Sequence, residues 1–162
     1  MKKLLSILLC AILLPALAAC GGGGGNNGQA APDLNKYYED FMATLGADNT
    51  PAMMDVETDM IPQVYPGLEN YTSKQVVAKM AAITAVPFEF VLLELESEAD
   101  AQAAASILQA RVDSQVNGGA FYPETTAAWE KAQVITHGNV AALICAGSEQ
   151  DQAVDAFNKL FG

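Results

Sequence analysis

Glu89 stands between Phe88 and Phe90, and Arg111 stands four residues ahead of Gln115. On a strand, successive side chains alternate between faces, so Glu89 points away from its two phenylalanine neighbours. Arg111 and Gln115, at i and i+4, share one face of a helix. The three can meet where that helix packs on the sheet. They would then recognise a carboxylate or an amide, because a guanidinium offers a planar fork of donors. The alternatives are an internal ion pair completed by Gln115, or three separate residues facing solvent.

The other reactive side chains are sparse. His137 is the only histidine in the sequence, which excludes a multi-histidine metal centre and two-histidine catalysis. Ser73, Ser97, Ser106, Ser114 and Ser148 fall in no nucleophile-elbow pattern, and His137-Gly138-Asn139 reads as an exposed hairpin turn. Asp55, Glu57 and Asp59 imitate the opening of a calcium loop. Met60 then takes the place of its glycine and Pro66 that of its closing glutamate, so the acidic run reads as a solvated face. No metal, cofactor or catalytic residue is assigned. Cys145 lies in the apolar run from Val140 to Ala146 and reads as a small buried hydrophobe, since a nucleophile needs a base and an electropositive setting. Tyr37, Tyr65, Tyr122 and Trp129, with Tyr38 and Phe121, gather near helix starts and turns. Exposed together they would form a binding patch for a sugar, peptide or protein; buried, they are core.

The elements that position these residues follow from periodicity. Asp33 caps a helix in which Leu34, Tyr37, Tyr38, Phe41 and Leu45 recur at helical spacing before Gly46. Thr50-Pro51 opens a short helix or turn through Met53 and Met54, and Tyr65-Pro66-Gly67 suits a type II turn. Val76 to Val86 and Phe88 to Leu95 read as two strands meeting near Ala85-Val86-Pro87. Ser97-Glu98-Ala99-Asp100 resembles a capping box for a helix striped by Ala101, Ala105, Leu108, Val112 and Val116 and ended by Gly118-Gly119. After Tyr122-Pro123 and a short helix around Trp129, Gln133–Thr136 and Val140–Ala146 form a hairpin. Ser148-Glu149-Gln150-Asp151 caps a last helix that buries Val154, Phe157, Leu160 and Phe161. The order β-β-α-β-β-α after a helical start predicts an α+β domain: a four-stranded, mainly antiparallel sheet with helices packed on one face.

Ahead of this domain lie Lys2 and Lys3, the apolar run from Leu4 to Leu14, and Leu17-Ala18-Ala19-Cys20 followed by five glycines. A positive start, a short apolar run and small residues at a cleavage point make an export signal. The run is too short for the roughly 20 apolar residues of a spanning helix. Residues 1–19 are therefore expected to be cleaved, 20–32 to form a Gly-rich tether, and 33–162 to form one domain. With Cys10 removed in the signal and Cys20 at the new N-terminus, Cys145 is left alone and no internal disulfide forms. The chain carries 8 basic and 19 acidic residues, a net charge of −11. Losing Lys2 and Lys3 takes −11 to −13. An acidic surface excludes a nucleic-acid partner, which needs a basic footprint, and docking on anionic lipid through basic residues.

Leu17-Ala18-Ala19-Cys20 resembles the lipobox of bacterial lipoproteins, which implies that Cys20 receives a diacylglyceryl group and that its two acyl chains anchor the protein stably in a membrane. A further resemblance rests on that lipobox and Gly-rich tether, Tyr37-Tyr38, Met53-Met54 beside an acidic run, Phe88-Glu89-Phe90, Arg111 before Gln115, Tyr122-Pro123-Glu124 and Gly138-Asn139-Val140. In this order they are similar to an uncharacterised lipoprotein family, the domain of unknown function 4358. The resemblance implies a lipid-anchored protein on the extracytoplasmic face of a Gram-positive cell membrane, and brings no activity or catalytic residue. The expected function is a noncatalytic binding or adaptor domain for a protein or cell-wall ligand. The alternatives are a structural or assembly factor of the cell envelope, or an enzyme working through carboxylates such as Glu89 or Glu124.

Overall fold

The computed structural model describes residues 31–162; the expected signal peptide, Cys20 and nearly all of the expected tether lie outside the described residues. Within them, β1 (Met53–Asp55), β2 (Ser73–Ala81), β3 (Phe88–Leu95), β4 (Gln133–His137) and β5 (Val140–Ala146) make one antiparallel sheet. Its strand order is β1-β2-β3-β5-β4. The helices are α1 (Leu34–Thr44), α2 (Ile61–Val64), α3 (Glu98–Ser114), α4 (Pro123–Trp129) and α5 (Gln150–Asn158). Both expected hairpins are present, β2 with β3 and β4 with β5.

The expected four strands become five. The Thr50 hydroxyl, instead of capping a helix, bonds back to the Gly46 carbonyl at 2.7 Å, and Met53–Asp55 pairs with the end of β2 as an edge strand. Three residues are too few to show a strand period, and the Asp55–Lys79 ion pair across the two strands holds the edge.

The expected single helical layer is also corrected, because helices cover both faces of the sheet. Phe90, Leu92, Val140, Ala142 and Ile144 pack with Leu34, Tyr37, Tyr38 and Phe41 of α1 and with Val154 and Phe157 of α5. Val91, Leu93, Leu95, Ala141, Leu143 and Cys145 pack with Ala101, Ala104, Leu108 and Val112 of α3 and with Tyr65 and Trp129. Alternate residues of β3 and β5 thus enter two different cores. The physical reason is written in both strands: Phe90 to Leu93 and Val140 to Ala146 are apolar at every position, and each alternate set of side chains must leave water on its own side.

Local chemistry sets the helix boundaries. Asp33 accepts the Lys36 amide at 2.9 Å and Ser97 accepts the Asp100 amide at 3.1 Å, each satisfying a donor that a helix start leaves open. Leu68 N–H donates to the Tyr65 carbonyl across the Pro66-Gly67 turn, and Gly67 sits at φ 100°, as a type II turn requires. The last helix departs from expectation, since Ser148 donates to the Glu149 carboxylate and caps no amide. Gln150 takes over, its buried amide accepting from Ala146 N at 2.9 Å and donating to the Ile144 carbonyl at 3.0 Å. His137 is corrected from an exposed turn residue to a packing one: it stacks on Phe161 at 4.2 Å and bonds Asn158 at 2.9 Å.

Gln150→Ala removes both partners of buried backbone groups, each worth about 1–3 kcal/mol when left unsatisfied. A urea titration should show the midpoint fall with the denaturant slope unchanged.

Candidate functional site

Glu89 projects from β3 toward the α3 face of the sheet, opposite Cys145 of β5 and Met80 of β2. It is 2% exposed. Arg111, in the last turn of α3, lies over it and closes a two-point bridge: Nε to Oε1 at 3.0 Å and Nη2 to Oε2 at 2.7 Å. The Tyr65 hydroxyl, presented just before the Pro66-Gly67 turn, donates to Oε1 at 2.9 Å. The indole of Trp129, from α4, supports the guanidinium at 5.5 Å from its ring centre. Four separate segments therefore meet at one carboxylate.

The electrostatics describe a closed cluster. Burial works against the charge on Arg111, and the Glu89 hydrogen bonds and charge outweigh it, so the guanidinium is held above its ordinary value. Burial, with the neighbouring Glu89 carboxylate, pushes the Tyr65 hydroxyl far up. Burial likewise pushes the Cys145 thiol up to about 12, and the thiol donates weakly to the Pro87 carbonyl at 3.3 Å. Only the thiolate is a nucleophile, so at neutral pH Cys145 is inert. The guanidinium fork that would receive a ligand carboxylate is already filled by Glu89.

Of the arrangements the sequence leaves open, the structure shows the internal ion pair of Glu89 with Arg111, without Gln115. Gln115 sits where α3 widens into the turn Gln115–Gly119, and its side chain lies against Gly119, where an added Cβ would stand 2.5 Å from its amide nitrogen. Tyr65 replaces it at the carboxylate. The only available signal was a large residue with a polar tip inside an apolar segment, because buried tyrosine hydroxyls find partners; nothing local named the partner 24 residues away.

The aromatics do not gather into one patch. Tyr37 is buried on the α1 side, where its hydroxyl bonds the Ala153 carbonyl, while Tyr65 and Trp129 are buried on the other. Tyr122 remains 54% exposed, beside Phe121 at 85%. Among the described residues no cluster of three or more His, Cys, Asp or Glu side chains is placed to hold a metal ion.

An open cleft of about 460 Å³ lies at the end of the sheet where β3 begins, between the loop after β2, α4 and Gly147. The Thr125 hydroxyl donates to the Ala85 carbonyl at 3.0 Å and ties α4 to that loop. Gly147, at φ 56°, lies so close to Phe88 that an added Cβ would stand 3.2 Å from the ring. Ile83 of the loop is 62% exposed. The chain enters the domain at the opposite end, where Gln75 binds the Pro32 carbonyl, the Leu34 amide and the Glu94 carboxylate.

These features define a three-layer α+β domain on an antiparallel sheet, with its polar cluster closed inside and its open surface at one sheet end. By sequence the chain belongs to the family described as Domain of unknown function (DUF4358), whose family model matches residues 46–146. The match runs from before β1 to the end of β5 and takes in Tyr65, Glu89, Arg111, Trp129 and Cys145. No curated protein and no solved structure matches the chain.

Arg111→Met strands a buried carboxylate and should cost about 3–5 kcal/mol; Tyr65→Phe removes one hydrogen bond to a charge, about 1.5–3 kcal/mol. Denaturant titration of the single and double variants should give a non-additive cycle, because both act on one carboxylate. Cys145 should resist iodoacetamide in the folded protein and react once urea unfolds it. Its raised value also means that the folded state holds its proton while the unfolded thiol, at 9.0, has lost it. The contribution of Cys145 to stability should therefore be unchanged below pH 9 and fall between pH 9 and about 12. Tyr37 and Tyr65 deepen the fall above their ordinary value of 10.

Proposed function

We propose that the protein is a membrane-anchored extracytoplasmic lipoprotein of a Gram-positive cell whose domain is a noncatalytic binding or adaptor module. What carries the reading on the domain side is internal saturation: Glu89, Arg111 and Tyr65 satisfy one another, and the thiol beside them stays protonated. Groups held this way stabilise a fold, and none of these four is free to act as an acid, base or nucleophile. The export signal and Cys20 support the anchor, and among the described residues no helix is long and apolar enough to cross a membrane.

The domain's polarity supports a binding role. Pro32, just ahead of α1, is held at the Gln75 end of the sheet. At about 3.4 Å per residue, the eight residues of β3 put roughly 24 Å between that end and the cleft. A structural or assembly role in the envelope is the second reading, favoured by the exposed Phe121, Tyr122 and Ile83.

Cys20→Ala should move the protein from the membrane fraction to the soluble fraction with an unchanged melting temperature. Retention of that variant on membranes would refute the lipid anchor.

A further inference from the structure

Along one wall of the cleft, Glu124, Ala127, Ala128 and Lys131 recur at i, i+3, i+4 and i+7, a single stripe of α4 and the turn that continues it. The alanines leave room and the charges bracket it. At 1.5 Å rise per residue the two charged positions stand about 10 Å apart along the axis. Both side chains are exposed, and neither has an ion-pair partner among the described residues. Pro87 and Phe88 contribute apolar lining.

A ligand that fits has an apolar middle, a cation at one end and an anion at the other. An extended chain spans about 3.3–3.6 Å per residue, so a tripeptide with free termini covers about 10 Å. The lining hydroxyls of Thr125 and Ser148 already donate to the Ala85 carbonyl and to Glu149, so neither has a proton left for a sugar oxygen. We propose that this cleft binds short apolar peptides with free termini, the α-amino group at Glu124 and the carboxylate at Lys131. The site rests on the reading of the domain as a binding module and gives that module a ligand class.

The test is calorimetric titration of the full chain in detergent micelles with trialanine, N-acetyl-trialanine and trialanine amide. Trialanine should bind saturably, and blocking either terminus should weaken it by about tenfold, the worth of one lost charge-assisted contact. Glu124→Gln should weaken trialanine equally and become indifferent to acetylation; Lys131→Met should become indifferent to amidation. Both positions are exposed, so melting temperatures should stay unchanged. No binding of trialanine, or binding indifferent to blocked termini and to both substitutions, overturns the peptide site. A crosslinked protein partner on intact cells would in that case leave the adaptor reading standing. Neither a crosslinked partner nor a peptide response would overturn both.

Discussion

Glu89 is a carboxylate taken out of water in the middle of a sheet. Removing a charge from water costs several kcal/mol after relaxation, and the attraction of a partner offsets this only with good geometry and further hydrogen bonds. The domain supplies both: a two-point bridge from Arg111 and a third bond from Tyr65. Meeting that demand fixes α3 against β3, brings the Pro66-Gly67 turn down onto the sheet, and sets Trp129 beneath the guanidinium. Four segments that share little sequence proximity are therefore located by one group.

The sequence carries much of this and stops at identifiable points. Long periodic segments are readable: the α1 stripe from Leu34 to Leu45 is buried as its spacing implies, and both hairpins stand where the turn residues place them. Glu89 and Arg111 were readable as partners because strand alternation and helix spacing each aim a side chain at the same layer. Tyr65 was not, since a tertiary contact from an irregular segment has no period. The three residues of β1 were too short to show one. The second helical layer was present in the unbroken apolar run Val140 to Ala146, which a one-sided sheet does not need.

The two cores differ in what they contain. The α1 and α5 side is aromatic, with Tyr38 edge-on to Phe90 at 5.5 Å and Phe157 edge-on to Tyr37 at 5.3 Å. The α3 side is built on alanines of the helix, which let α3 approach the sheet closely enough for Arg111 to reach Glu89. Both α1 and α5 lie outside the span matched to the family, so the matched span supplies the sheet, the ion pair and the cleft lining apart from Gly147 and Ser148, but not the helices over one face of the sheet.

Strand segments that are apolar at every position, as Phe90 to Leu93 and Val140 to Ala146 are, carry a hazard of their own. An alternating strand punishes a one-residue slip by turning its whole hydrophobic set toward water, whereas β3 and β5, buried on both sides, would lose little apolar burial by slipping. Glu89 breaks that degeneracy. Shifted by one residue, its carboxylate would enter the aromatic core beneath α1, beyond the reach of Arg111 and Tyr65. The ion pair thus acts as a registration mark, selecting one alignment of the central strands among several that hydrophobic burial alone would accept.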